Sequence, residues 1–161
     1  MKIIDDFLSY QEFQPLQSEI MGEALPWFYN RYTLHPDDKI DHYQFTHVFF
    51  NEFTGQRSPD FEYLMGPVIK KLNLKRLIRI KANLNPKTLF HRNTGWHYDY
   101  DNMITAIFYL NTCNGWTQFK RGGKVKCVTN RVVIFDSNLE HAGITCTDHK
   151  RKVVINFNYE V

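Results

Sequence analysis

Cysteine is scarce in this chain. Its 161 residues carry only three, Cys113, Cys127 and Cys146. The set is odd in number, widely spaced and without a CxxC pair, which excludes a disulfide framework or a zinc knuckle at the level of spacing. Core or surface thiols in a reducing compartment are the expectation. No basic-plus-apolar leader opens the sequence, and no apolar run approaches the ~20 residues of a membrane span. A soluble, cytoplasmic protein with no membrane partner is therefore expected. Charge of one sign is not in excess either, since the net charge is only +3, too mild to argue for a nucleic-acid partner. One basic run (Lys70, Lys71, Lys75, Arg76, Arg79, Lys81) reads as a solvated helix end and strand edge rather than a phosphate-binding patch. Repeats, linkers and low-complexity segments are missing, so residues 1–161 are expected to form a single domain.

Aromatic residues, by contrast, are abundant: 16% of the chain, with 13 Phe and 9 Tyr. Such enrichment favours sheet structure. Residues 1–75 read mainly as helix and loop. Ser9 and Glu12 form a capping box before a helix over 10–24, whose apolar face is Phe13, Leu16, Ile20, Met21 and Ala24 and which Pro26 ends. Residues 44–50 read as a strand. Ser58-Pro59 opens a second helix that buries Phe61, Leu64, Met65, Val68, Ile69 and Leu72. From Leu74 onward the texture becomes short strands (77–84, 103–110, 116–119, 124–128, 131–135 and 153–159). Asn114-Gly115, Gly122-Gly123, Thr129-Asn130 and Asp148 mark turns between them. That pattern predicts an antiparallel sandwich or jelly roll with helices over one outer face.

The segment GWHYDYD places His97 and Asp99 two residues apart, on one side of a strand. His141 follows 42 positions after Asp99, just beyond the strand at 131–135. Two histidines and a carboxylate make the facial triad of non-heme iron(II) oxygenases, which leaves three coordination positions for a bidentate 2-oxo acid and dioxygen. Asp101 lies on the same side by parity and is the alternative carboxylate. His35, His42, His47, His91 and His149 have no partner at ligand spacing and read as surface or core residues. Ten residues after His141, Arg151 shares a strand face with Val153, Ile155 and Phe157. A guanidinium at the end of an apolar row needs an anionic partner, and its planar fork suits a carboxylate.

These pieces carry a resemblance. Residues from about Leu77 to Val161, roughly half the chain, resemble the 2-oxoglutarate/iron(II) dioxygenase superfamily and, within it, the prolyl-hydroxylase-like group. The likeness rests on HYD (97–99), TAIFYLN (105–111), NRVVIFDSNLEHAG (130–143) and RKVVINFNY (151–159). It implies a mainly β fold with buttressing α-helices, the double-stranded β-helix (jelly roll, cupin-like), with 1–75 as helical support and 76–161 as most of the core. It selects Asp99 over Asp101 and implies Fe(2+) on His97, Asp99 and His141. It further implies 2-oxoglutarate held by Arg151 and Tyr109, dioxygen as the oxidant, and a prolyl or other residue of a peptide or protein as substrate. Asn83 is either a donor to the co-substrate or structural. Hydroxylation of a free amino acid or small metabolite is the alternative, and a catalytically silent jelly-roll binding module is the other. Nucleic-acid demethylases of the superfamily usually carry a second arginine where Phe157 stands, so no nucleic-acid substrate is expected. Where relatives often have a GGE-like segment, this chain has Asn114 to Phe119, and the Trp116 indole would narrow the substrate entrance. Trp96 is either a pocket residue or a packing one.

Overall fold

The computed structural model describes residues 1–34 and 42–161; His35 lies outside the described residues. The capping box forms as expected: the Ser9 backbone N–H and hydroxyl both donate to a Glu12 carboxylate oxygen, at 3.1 and 2.7 Å. Helix α1 follows over Tyr10–Met21. It buries Phe13, Leu16 and Ile20 but ends three residues earlier than the sequence pattern suggests, at Gly22, so Ala24 is exposed. Helix α2 spans Phe61–Leu72 and buries Phe61, Leu64, Met65, Val68 and Leu72. Asn73 stops it by adopting the left-handed conformation at φ 52°, which asparagine tolerates better than most residues.

The strands are β1 (Lys2–Ile4), β2 (Phe28–Asn30), β3 (Gln44–Asn51), β4 (Gln56–Arg57), β5 (Arg76–Pro86), β6 (Ile104–Tyr109), β7 (Trp116–Phe119), β8 (Lys124–Lys126), β9 (Arg131–Asp136), β10 (His141–Ile144) and β11 (Arg151–Glu160). The larger sheet runs β1-β9-β6-β11-β5-β3-β2, with β4 beside β3. The smaller runs β10-β7-β8. All the pairings are antiparallel. This is the expected mainly β jelly roll.

Side-chain alternation divides the core in two. Ala106, Phe108 and Leu110, with Val153, Ile155 and Phe157, leave one face of the larger sheet and pack with Phe13, Leu16, Leu64, Met65 and Val68 of the helices. Ile107, Tyr109, Val133, Phe135 and Val154 leave the opposite face and pack with Phe119 and Val125 of the smaller sheet. The first 75 residues are more than helical support, because β1 and β2 form both edges of the larger sheet. These strands escape the sequence reading because each is three residues long, too short to show a period. Asn130, at φ 59°, ties the amino-terminal segment to this frame. Its amide accepts from Leu8 N–H at 3.0 Å and donates to Leu8 O at 2.9 Å.

Candidate functional site

His97 and His141, 44 positions apart in sequence, meet through backbone pairing. The extended segment carrying His97 is not part of a strand, but it exchanges two hydrogen bonds with β10: His97 N–H to His141 O at 3.0 Å and His141 N–H to His97 O at 2.8 Å. Directly opposed residues of an antiparallel pair put their side chains on the same face. The rings accordingly lie 4.4 Å apart between centroids. Asp99, two residues on, falls on the same side, with Oδ1 4.0 Å from His97 Nε2. Donor atoms of His97, Asp99 and His141 all lie within 4.8 Å of one another. Asp101 is exposed and outside the cluster.

The orientation of each donor is fixed. His97 Nδ1 sits 3.1 Å from Gly95 O and His141 Nδ1 2.9 Å from Leu139 O. A carbonyl only accepts, so each Nδ1 carries the proton and each Nε2 keeps its lone pair for a ligand. His141 Nε2 is buried with no hydrogen-bond partner among the described residues. Asp99 Oδ2 accepts from Thr105 Oγ1 at 2.8 Å and Asn158 Nδ2 at 3.0 Å, and Oδ1 from Arg79 at 3.4 Å. Burial pushes the Asp99 carboxyl up, but the charges of His141 and Arg79 and the Thr105 hydroxyl outweigh it, so its pKa falls below the ordinary value. Burial, with His97 adding to it, lowers the pKa of His141 and favours the neutral, ligating form. Two imidazoles that each present Nε2, that of His141 buried and unpartnered among the described residues, together with the Asp99 carboxylate, fit a divalent transition metal.

A cavity of about 410 Å³ opens from these three residues between the sheets. Lys152, Thr117, Gly143, Lys81, Asn83, Asn85, Val154 and Asn156 line it as well. Lys152 is 2% exposed and donates from Nζ to Trp116 O at 2.8 Å and Ile144 O at 3.0 Å. An ammonium has three donors, so one remains for a ligand. Asn83 Oδ1, Asn85 Nδ2 and Asn156 Oδ1 are buried without a partner among the described residues.

The structure does not bring Arg151 to this cavity. Arg151 does share a face with Val153, Ile155 and Phe157, but that face packs on the helices, where its guanidinium donates to the Met21 carbonyl. The cavity face of β11 is Lys152, Val154 and Asn156, with Asn158 next in the same row. That row was the legible signal for Lys152: an apolar row seeks helices, whereas a lysine–asparagine row needs a cavity. Tyr109 lies behind the wall, fully buried, its hydroxyl donating to Thr117 Oγ1 at 2.7 Å. Asn83, left open between the two roles, lines the cavity. Neither Trp116 nor Trp96 is among the lining residues. The Trp116 indole donates to Gln118 Oε1 and packs on His91 and Lys124, so it does not narrow this space. His47 is held by Pro26 O and Ser58 Oγ, and His91 by Thr145 O.

No protein-family model matches this sequence, and no curated protein matches it either. Solved structures do match in shape. A Pseudomonas putida prolyl-4-hydroxylase aligns with a TM-score of 0.63 at 16% identity, covering 99% of this chain and 92% of that one. A Trichoplax adhaerens prolyl hydroxylase, in complex with a hypoxia-inducible-factor peptide fragment, gives 0.63 at 14% identity over 99% and 83%. HygX of Streptomyces hygroscopicus, with nickel and 2-oxoglutarate bound, gives 0.60 at 13% over 98% and 81%. In fold, the chain is similar to these solved 2-oxoglutarate/iron(II) oxygenases, the two prolyl hydroxylases among them.

Proposed function

We propose that the chain is an iron(II)- and 2-oxoglutarate-dependent dioxygenase, with His97, Asp99 and His141 as the metal ligands and Lys152, in place of Arg151, as the anchor for the far carboxylate of 2-oxoglutarate. One observation carries the reading: three convergent metal donors and a buried lysine with a spare donor line the same polar cavity. Iron(II) bound there would supply the redox chemistry that couples decarboxylation of a 2-oxo acid by dioxygen to hydroxylation of a C–H bond. The chain's residues set the conditions for it. Gly95 and Leu139 carbonyls hold both imidazoles in the ligating tautomer. Thr105, Asn158 and Arg79 keep Asp99 ionised and aimed. Lys152, whose burial lowers its own pKa, gains most from an anionic partner because it gives up no further solvation when one arrives. Thr117, steadied by the Tyr109 hydroxyl, and Asn85, opposite Lys152 in the β11–β5 register, flank that anchor.

For the substrate, a prolyl or other residue of a peptide is the leading reading, supported by the peptide held by the Trichoplax enzyme. A free amino acid or small metabolite is the second. It is favoured by the unpartnered amides of Asn83 and Asn156 and by Lys81, which suit a small polar molecule. A silent binding module would need no intact donor set. The deciding experiment incubates the chain with iron(II), 2-oxoglutarate and dioxygen plus proline-containing peptides or free amino acids. Succinate release with a one-oxygen mass gain on one class assigns it. No succinate with any of them, in a chain that binds both metal and 2-oxoglutarate, would support the silent module.

A further inference from the structure

All three cysteines meet behind Lys152. Cys113 follows β6, Cys127 follows β8 and Cys146 follows β10. Sheet pairing brings them into the inner core, each buried. The sulfurs of Cys113 and Cys146 and a carboxylate oxygen of Asp148 all lie within 4.8 Å of one another. We propose that Cys113, Cys146 and Asp148 form a second metal site, for a thiophilic divalent cation of the zinc class, separate from the His97–Asp99–His141 centre.

The donor set is built rather than incidental. Both Asp148 oxygens accept the Asn114 backbone N–H at 3.0 Å. The Asn114 side chain in turn donates to Thr147 Oγ1 at 2.7 Å and accepts from Thr147 N–H at 2.9 Å. The turn that carries Asp148 is thereby fixed to the loop that carries Cys113 before any ion arrives. Two sulfurs and one oxygen select zinc-like ions over calcium or magnesium. Asp148 keeps 39% of its side chain exposed, which gives an ion access from solvent. Binding releases the Cys113 and Cys146 thiol protons to water. Two thiolates and a carboxylate around a divalent cation leave one negative charge. The strands that adjoin these two loops, β7 and β10, present the Trp116 and Ile144 carbonyls to Lys152, so an ion here would clamp the anchor in place.

The test is titration of the reduced full-length chain with cobalt(II) under anaerobic conditions. Thiolate ligands give an intense near-ultraviolet sulfur-to-cobalt band that histidine and carboxylate ligands cannot give, so the other centre is silent in this readout. One equivalent should develop the band, zinc(II) should bleach it, and Cys146→Ser should remove it. Asp148→Asn keeps the Asn114 contact on an exposed residue, so the fold survives, and it should weaken cobalt binding by about tenfold or more. No sulfur band at saturating cobalt, or a band that Asp148→Asn leaves unchanged, would overturn the site. So would recovery of Cys113 and Cys146 as a disulfide with zinc(II) present.

Discussion

Single side chains decide what the cavity can hold. Lys152 and Arg151 are neighbours with similar charge, yet adjacent residues of a strand face opposite ways. Their replacement should therefore separate cleanly. Lys152→Met removes the proposed carboxylate anchor and should raise the apparent KM for 2-oxoglutarate by about 100-fold or more, the scale of losing a buried charged partner. Arg151→Ala, on the helix face, should leave it within about twofold. A steady-state KM series on both variants checks this, and the reverse outcome would restore Arg151 as the anchor. Lys81 offers a pH prediction. Burial, with help from Arg79 and against Asp99, pushes its pKa down to about 8. The cost of holding the charged form in the ligand-free fold is fully present below that value. It is relieved between about 8 and the ordinary lysine pKa of about 10.4, where the unfolded chain still binds the proton and the folded chain has shed it. Its contribution to stability should thus rise with pH across that window. Urea unfolding of wild type and Lys81→Met at several pH values should show a smaller rise in the variant, where the other buried lysine, Lys152, still contributes; the same slope in both would place its cause elsewhere.

At the scale of elements, β11 shows how much was legible and where the reading slipped. Alternation located the strand and grouped its residues correctly, because a period of two survives in RKVVINFNY. It did not say which face looks inward, because both faces are buried. The metal donors were legible for a different reason: His97 and Asp99 are near in sequence, and a short pattern needs no knowledge of pairing. Arg79, Thr105 and Asn158, which aim Asp99, left no local signal, since only the β5–β11–β6 register assembles them. The cysteines were hidden in the same way. Spacing excluded a knuckle within one loop but was blind to three loops meeting. The Asn130 link between the amino-terminal segment and β9 belongs to this scale too. Asn130→Gly keeps the left-handed backbone accessible but deletes both bonds to Leu8. It should cost about 1–3 kcal/mol in chemical denaturation; no loss would mean that the segment is held by its apolar contacts alone.

For the whole molecule, a jelly roll survives here at identities of 10–16% to solved structures, because the fold asks only for apolar alternation, turns and a helix-covered face. Function asks for more: specific donors lining the cavity. No helix among the described residues is long and apolar enough to cross a membrane. The cavity between the two sheets, lined by both the donor set and Lys152, is the feature from which the proposed chemistry follows. Its most direct test needs neither dioxygen nor a substrate. Anaerobic titration of the chain with iron(II) and then 2-oxoglutarate should produce a visible iron-to-oxo-acid charge-transfer band at one equivalent each, absent in His141→Ala and shifted to much higher 2-oxoglutarate concentrations in Lys152→Met. A wild-type chain that stays colourless, or a His141→Ala chain that colours equally, would contradict the account.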